Sequence, residues 1–149
     1  MTVRVQREDF DVGVEIAKLR AGNRKIGAVA SFVGVVRDIN DGATIGSITL
    51  EHYPGMTEKS LEAIVEHAKA RWTLSDVLIV HRIGTLAPTD QIVLVATASS
   101  HRDDAFSACR FVMDYLKTEA PFWKKEVTAD GVRWVDARDS DTQAKQRWN

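Results

Sequence analysis

Two β-rich runs stand back to back between successive helical stripes, and this spacing constrains the fold more than any other feature of the sequence. Val3 and Val5 alternate with polar neighbours and predict a short first strand. Val12, Ile16 and Leu19 follow helical intervals and predict a helix over 12–20. Residues 26–36, apolar on both alternating faces, predict a strand buried on both sides. A second strand follows over about 44–53 and stops at Pro54-Gly55. Thr57 then reads as the N-cap of a helix, with Met56 and Leu61 as its hydrophobic staple and Leu61, Ile64, Val65, Ala68 and Trp72 as its apolar stripe.

Residues 76–83 and 91–99 form the next pair of strands. Ser100, with Asp103 three residues on, reads as the cap of another helix, whose buried stripe is Ala105, Ala108, Cys109, Val112 and Leu116. Pro121 ends it. A hairpin over 122–128 and 132–135 turns at Ala129-Asp130-Gly131. Residues 138–149 are polar and read as a surface tail. Strands that follow one another without a helix between them pair as hairpins. The pattern therefore predicts an α+β fold with a mixed, mostly antiparallel sheet and flanking helices.

With 149 residues, the chain is read as one domain, 1–149, large enough to fold without a staple. A net charge of −1 supplies no global field for nucleic acid or an anionic membrane. The first ten residues lack the apolar run of a signal peptide, and runs such as Val77–Val80 are far short of a bilayer span. With a single cysteine, this gives the expectation of a cytoplasmic protein.

No phosphate-binding glycine loop of either standard pattern is present, and no H-E-x-x-H. His52, His67, His81 and His101 have no ligand spacing, so no metal site is expected. Cys109, on an apolar stripe, reads as a small buried hydrophobe. His101-Arg102 opens a helix after a buried strand, where backbone N–H groups and a guanidinium favour an anion; the other reading of the pair is a solvated first turn, with Asp103 and Asp104 favoured by the helix dipole. Lys117 closes the same helix. Phe106, Arg110, Met113 and Lys117 make a mixed stripe that suits a cleft for an anionic, partly aromatic ligand, or an interface.

Lys124 and Lys125 are adjacent on a strand and so point to opposite faces. Phe122 and Glu126 share the Lys124 face, where Glu126 could orient or charge-balance that lysine. Arg37 leaves an apolar strand for a polar loop, as a phosphate ligand or a surface residue. The segment 101–126 sets five Lys/Arg against five Asp/Glu, which fits a focused pocket for a small anion better than a polyanion groove.

Several long stretches then carry a resemblance. They are Phe32-Val33-Gly34-Val35-Val36-Arg37, Leu50-Glu51-His52-Tyr53-Pro54-Gly55-Met56, His81-Arg82-Ile83-Gly84, Ser100-His101-Arg102, and Met113 to Thr118 followed by Ala120-Pro121-Phe122-Trp123-Lys124. From about residue 26 onward the chain resembles the catalytic (large) subunits of the molybdopterin synthase family. The resemblance implies an α/β hammerhead fold and a homodimer. Each subunit binds one small ubiquitin-like sulfur-carrier subunit, giving a heterotetramer. It implies sulfur transfer from a thiocarboxylate on the carrier's C-terminal Gly-Gly to cyclic pyranopterin monophosphate, forming the dithiolene of molybdopterin, with no cofactor. Lys117 and Lys124 match the family's catalytic lysines. Arg37, His101, Arg102 and Arg138 match phosphate- and pterin-contacting positions, the His-Arg pair reaching the site from the neighbouring subunit. Phe32 and Met113 match apolar walls for the pterin. Two other readings compete: a non-catalytic module that binds a ubiquitin-like tail, and a phosphate-ester enzyme using His101 as acid/base.

Overall fold

The computed structural model describes residues 2–40, 42–135 and 139–149. In chain order the elements are β1 (Val3–Gln6), α1 (Val12–Arg20), β2 (Ala28–Val35), β3 (Ile39–Asn40), β4 (Ala43–His52), α2 (Met56–Arg71), β5 (Asp76–Arg82), β6 (Gly84–Leu86), β7 (Gln91–Ser99), α3 (Arg102–Glu119), β8 (Phe122–Thr128), β9 (Gly131–Val135) and α4 (Asp139–Gln146). They form two sheets. The first runs β1-β5-β7-β2, and the second β3-β4-β8-β9 with β6 also paired to β4. Only β1–β5 is parallel among these pairings, so the sheets are mixed and mostly antiparallel as the sequence predicts.

The two-residue period of β5 and β7 divides the core around the first sheet. Val77, Ile79, Val93 and Val95 face one way and pack with Leu61, Ile64, Val65 and Ala68 of α2 and Ala105, Phe111, Val112 and Leu116 of α3. Leu78, Val80, Leu94 and Ala96 face the other way, where Phe10 and the α1 residues Val12 and Leu19 cover them. A separate cluster of Val36, Ile45, Ile48, Leu50 and Leu86 underlies the second sheet.

Four sequence expectations are corrected. β2 is not buried on both faces: Phe32 and Val35 are 41% and 45% exposed, because β2 is the edge strand with only β7 beside it. Thr57 does not cap α2. Gly55, at a φ of 85° that suits glycine, holds that position, and its N–H donates to Glu58 Oε1 at 3.1 Å. Thr57 is buried instead, accepting from Tyr53 N and donating to Pro121 O, both at 2.9 Å, which ties the start of α2 to the start of β8. Met56 is exposed and forms no staple. His101, not Ser100, is the N-cap of α3, and it makes no side-chain capping bond.

The expected surface tail holds a helix and an anchor. Trp148 meets Trp72 and Phe111 edge to face, each at 5.5 Å between centroids. Its Nε1 donates to Asp114 Oδ2 at 2.7 Å and its carbonyl accepts from Arg71 at 2.9 Å.

Candidate active site

A cavity of about 370 Å³ lies where the ends of the first sheet meet the second. Each cation reaches it for a local reason. Arg37 stands two residues past the end of β2, just beyond the point where Val36 enters the core under the second sheet. Lys117 stands in the last turn of α3, next to Leu116, which is buried in the main core. Lys124 sits mid-β8, opposite Leu50 of β4 and Val135 of β9. Three cations from separate parts of the chain thus line one concave surface.

The strand-face argument for the two lysines holds in the geometry. Phe122, Lys124 and Glu126 line the cavity, whereas Lys125 lies over the outer ring of Trp134, 5.3 Å from its centroid. Glu126, only 2% exposed, has its own partners. Oε2 accepts from Asn40 Nδ2 at 2.6 Å and Oε1 from Arg133 Nε at 2.9 Å, while Arg133 also donates to the Asn40 carbonyl at 2.9 Å. Together these bonds pin the short β3 onto β8 and β9, a role that stands beside the one expected of Glu126 toward Lys124, whose strand face it shares. Asn40 Oδ1, also in this cluster, is buried without a partner.

His81 lines the same cavity from the end of β5 and is 5% exposed. Its ring stacks on Phe122 at 3.8 Å between centroids and 16° between planes. Nδ1 lies 2.8 Å from the Arg82 carbonyl, which can only accept, so Nδ1 carries the proton and Nε2 holds the lone pair. Burial pushes its pKa from 6.5 down to about 3. The Lys117 and His52 charges push the same way, against the Arg82 hydrogen bond. No role for His81 was read from the sequence. The available signal was a lone imidazole ending the aliphatic run Val77–Val80, which reads as ordinary strand interior without the fold.

The remaining expected residues lie elsewhere in the single chain. His101 and Arg102 line a separate cleft with Gly27, Ala28, Ser100 and Asp103. This cleft exists because Gly27 packs against the loop, donating to Ser99 O at 2.9 Å; a Cβ there would stand 2.1 Å from Ser100 O. Arg102 and Lys117 are separated along one straight element by about 22 Å, at 1.5 Å per residue. Phe32 is half-exposed on β2, outside the cavity lining. Met113 is buried in the main core and does not line the cavity either. Phe106, from the mixed stripe, is 66% exposed. Arg138 lies outside the described residues.

Cys109 is buried in the main core, its Sγ 3.9 Å from the Val95 carbonyl, and burial raises its pKa to about 11. Among the described residues, no cluster of three His, Cys, Asp or Glu side chains could hold a metal ion. No described helix is long and apolar enough to cross a membrane.

Comparison with known proteins gives a consistent set of similarities. The profile of the family described as MoaE protein matches residues 5–119. The molybdopterin synthase catalytic subunit of Ralstonia nicotianae is 65% identical over 147 residues, covering 99% of this chain and 84% of that protein. The solved structure of the molybdopterin biosynthesis MoaE protein from Burkholderia ambifaria superposes with a TM-score of 0.85 at 62% identity, over 99% of this chain and 97% of that one. A protein–protein complex of subunits 1 and 2 of molybdopterin-converting factor from Helicobacter pylori shares the fold, with a TM-score of 0.73 at 18% identity over 93% of this chain and 92% of that one.

Proposed function

The chain belongs to the MoaE protein family, and from that premise we infer that it is the catalytic subunit of a molybdopterin synthase. In this reading it moves sulfur from the C-terminal thiocarboxylate of a small ubiquitin-like carrier, ending in Gly-Gly, to cyclic pyranopterin monophosphate. The product is the dithiolene of molybdopterin. Both reactants are anions. The observation that carries the reading is the convergence of Arg37, Lys117 and Lys124 on one cavity.

The division of labour follows from side-chain chemistry. The Lys117 ammonium anchors the carrier's terminal group and stabilises charge on its carbonyl oxygen as sulfur leaves. Arg37 grips phosphate through its planar fork of donors. Lys124, on β8 in the same cavity, supplies or takes the proton as the cyclic phosphate opens. Cys109, buried and held as a thiol, is no sulfur carrier, which supports delivery by a partner.

A second copy of the chain completes the site in this proposal. One subunit cannot bring His101 and Arg102 to its own Lys117, because α3 holds them at opposite ends. The exposed Phe32 on an edge strand supports a homodimer in which that ring walls the pterin of the neighbouring cavity. Met113 acts through the packing of α3. Two such chains with two carriers make a heterotetramer, and a cytoplasmic location fits the single cysteine.

Reconstitution tests the reading. Purified chain, thiocarboxylated carrier and cyclic pyranopterin monophosphate are mixed and molybdopterin is quantified. Product that requires all three components is expected. A folded chain that binds the carrier tail and yields no product would instead be a binding module. Phosphate-ester cleavage without the carrier would point to the hydrolytic reading.

A further inference from the structure

Arg37 is exposed, yet the backbone on either side of it is held. On the N-terminal side, Val36 N–H donates to Asp90 O and Val36 O accepts from Thr89 N–H, both at 2.9 Å. On the C-terminal side, Asp38 O accepts from Ile45 N–H of β4 at 2.6 Å. The first two bonds come from the turn 87–90 that leads into β7 of the first sheet, and the third from the second sheet. Arg37 thus stands where the chain crosses between sheets, clamped before and after.

The turn is closed by its own aspartate. Asp90 Oδ2 accepts from Ala87 N–H at 2.9 Å, and Asp90 N–H donates to Ala87 O at 3.0 Å. Among the described residues, Thr89 alone combines a side chain with a positive φ, at 78°. A β-branched residue holds that conformation only where its surroundings enforce it. Beside the turn, the β2–β7 register slips between Gly34 and Val35, whose partners are Val93 and Gln91, and passes over Ile92. Such a slip re-aims side chains. Past it, Val35 is exposed and Val36 buried, and Arg37 and Ile92 both line the cavity.

We propose that Asp90 is a positioning residue for Arg37: its carboxylate closes the 87–90 turn, the turn holds Val36, and Val36 sets where the guanidinium emerges into the cavity. The proposal rests on the assignment of Arg37 to the phosphate of the pterin. A long exposed side chain loses rotamer freedom when it grips an anion. A fixed backbone leaves only those rotamers to be ordered. The turn therefore favours binding of the pterin and not of the carrier tail. Asp90 acts through Arg37, since it does not itself line the cavity.

The first test reads the clamp without any enzymatic activity. Amide hydrogen exchange of the whole protein should quicken by about tenfold or more in Asp90→Ala at Val36 and also at Ile45, whose bond lies beyond Arg37. The amides of Leu78 to Val80 in β5 should keep their wild-type rates. Unchanged exchange at Val36 or at Ile45, or an equal rise in β5, overturns the proposal.

The second test separates positioning from general stability. The half-saturating concentration of cyclic pyranopterin monophosphate should rise about tenfold in Asp90→Ala, with kcat and the affinity for a synthetic peptide ending in Gly-Gly within about twofold of wild type. Asp90→Asn keeps an oxygen for Ala87 N–H and should recover most of the loss. In an Arg37→Ala background, Asp90→Ala should add nothing further. A loss that adds to that of Arg37→Ala, that falls equally on the peptide, or that is as large in Asp90→Asn would mean a merely structural residue. If the wild type made no molybdopterin, the synthase reading would fall and the exchange rates would still decide whether the turn holds Arg37. If synthesis succeeded and the losses were additive, only the role of Asp90 would fall.

Discussion

At the scale of single residues, neighbours in sequence have divergent surroundings. Lys124 lines the cavity and Lys125 covers Trp134. Lys124→Ala should lower the rate of molybdopterin formation by two orders of magnitude or more, the range of a lost general acid or base. Lys125→Ala should stay within a few-fold of wild type, losing only a surface cation–π contact. Single-turnover assays of the two variants check the pair, and equal damage would contradict the assignment of faces.

His81 adds a prediction about acid stability. The folded protein leaves this ring unprotonated down to about pH 3, while the unfolded chain takes up the proton near its ordinary 6.5. The unfolded state therefore binds more protons between those values. The contribution of His81 is whole above pH 6.5 and is lost as pH falls toward 3, at up to about 1.4 kcal/mol per pH unit. Denaturant melts at pH 7 and pH 5 should show a steeper loss for wild type than for His81→Phe, which keeps an aromatic ring and cannot titrate.

At the scale of elements, what was legible in the sequence was what repeats. Val12–Leu19 marked α1, and the unbroken aliphatic runs marked β5 and β7, because side-chain period is a local consequence of backbone geometry. Helix starts were misread because residue type alone does not say where a hydroxyl will bond. Thr57 looks like a cap but is drawn to Pro121, 64 positions away. The terminal helix was missed because its segment is polar and its anchor is one indole. Trp148→Ala should cost about 2–3 kcal/mol, since it removes a half-buried aromatic and leaves Asp114 without the indole N–H. Urea unfolding measures that cost, and a loss below about 0.5 kcal/mol would mean the tail contributes little.

The site was legible to the same extent. Arg37, Lys117 and Lys124 stood out as cations at the ends or on one face of predicted elements. His81 did not, because a buried acceptor in an aliphatic strand has no local signature. Phe32 rests on resemblance and Met113 on resemblance and on the mixed stripe of its helix, and a single chain puts neither in its cavity.

At the scale of the whole molecule, the cationic residues divide between two places. Arg37, Lys117 and Lys124 share one cavity, and His101 and Arg102 share another cleft. If two copies build each site, His101→Ala and Lys117→Ala proteins are each inactive alone but complementary when mixed. Exchanging subunits statistically should restore about a quarter of wild-type activity, because a mixed dimer keeps one intact site of two. Verified exchange without recovery would place both groups of residues in separate functions.

Helix α3 carries residues of both places on one rigid body. It therefore behaves as a ruler with a fixed phase as well as a fixed length. Inserting one residue at its middle would slide one end by about 1.5 Å and turn it by about 100° relative to the other. Substitutions along its solvent side leave that phase untouched, whereas a single-residue insertion or deletion, however mild chemically, shifts the residues of the cavity against those of the cleft. Variation among such chains should consequently accumulate as exchanges within this helix and as length changes only outside it.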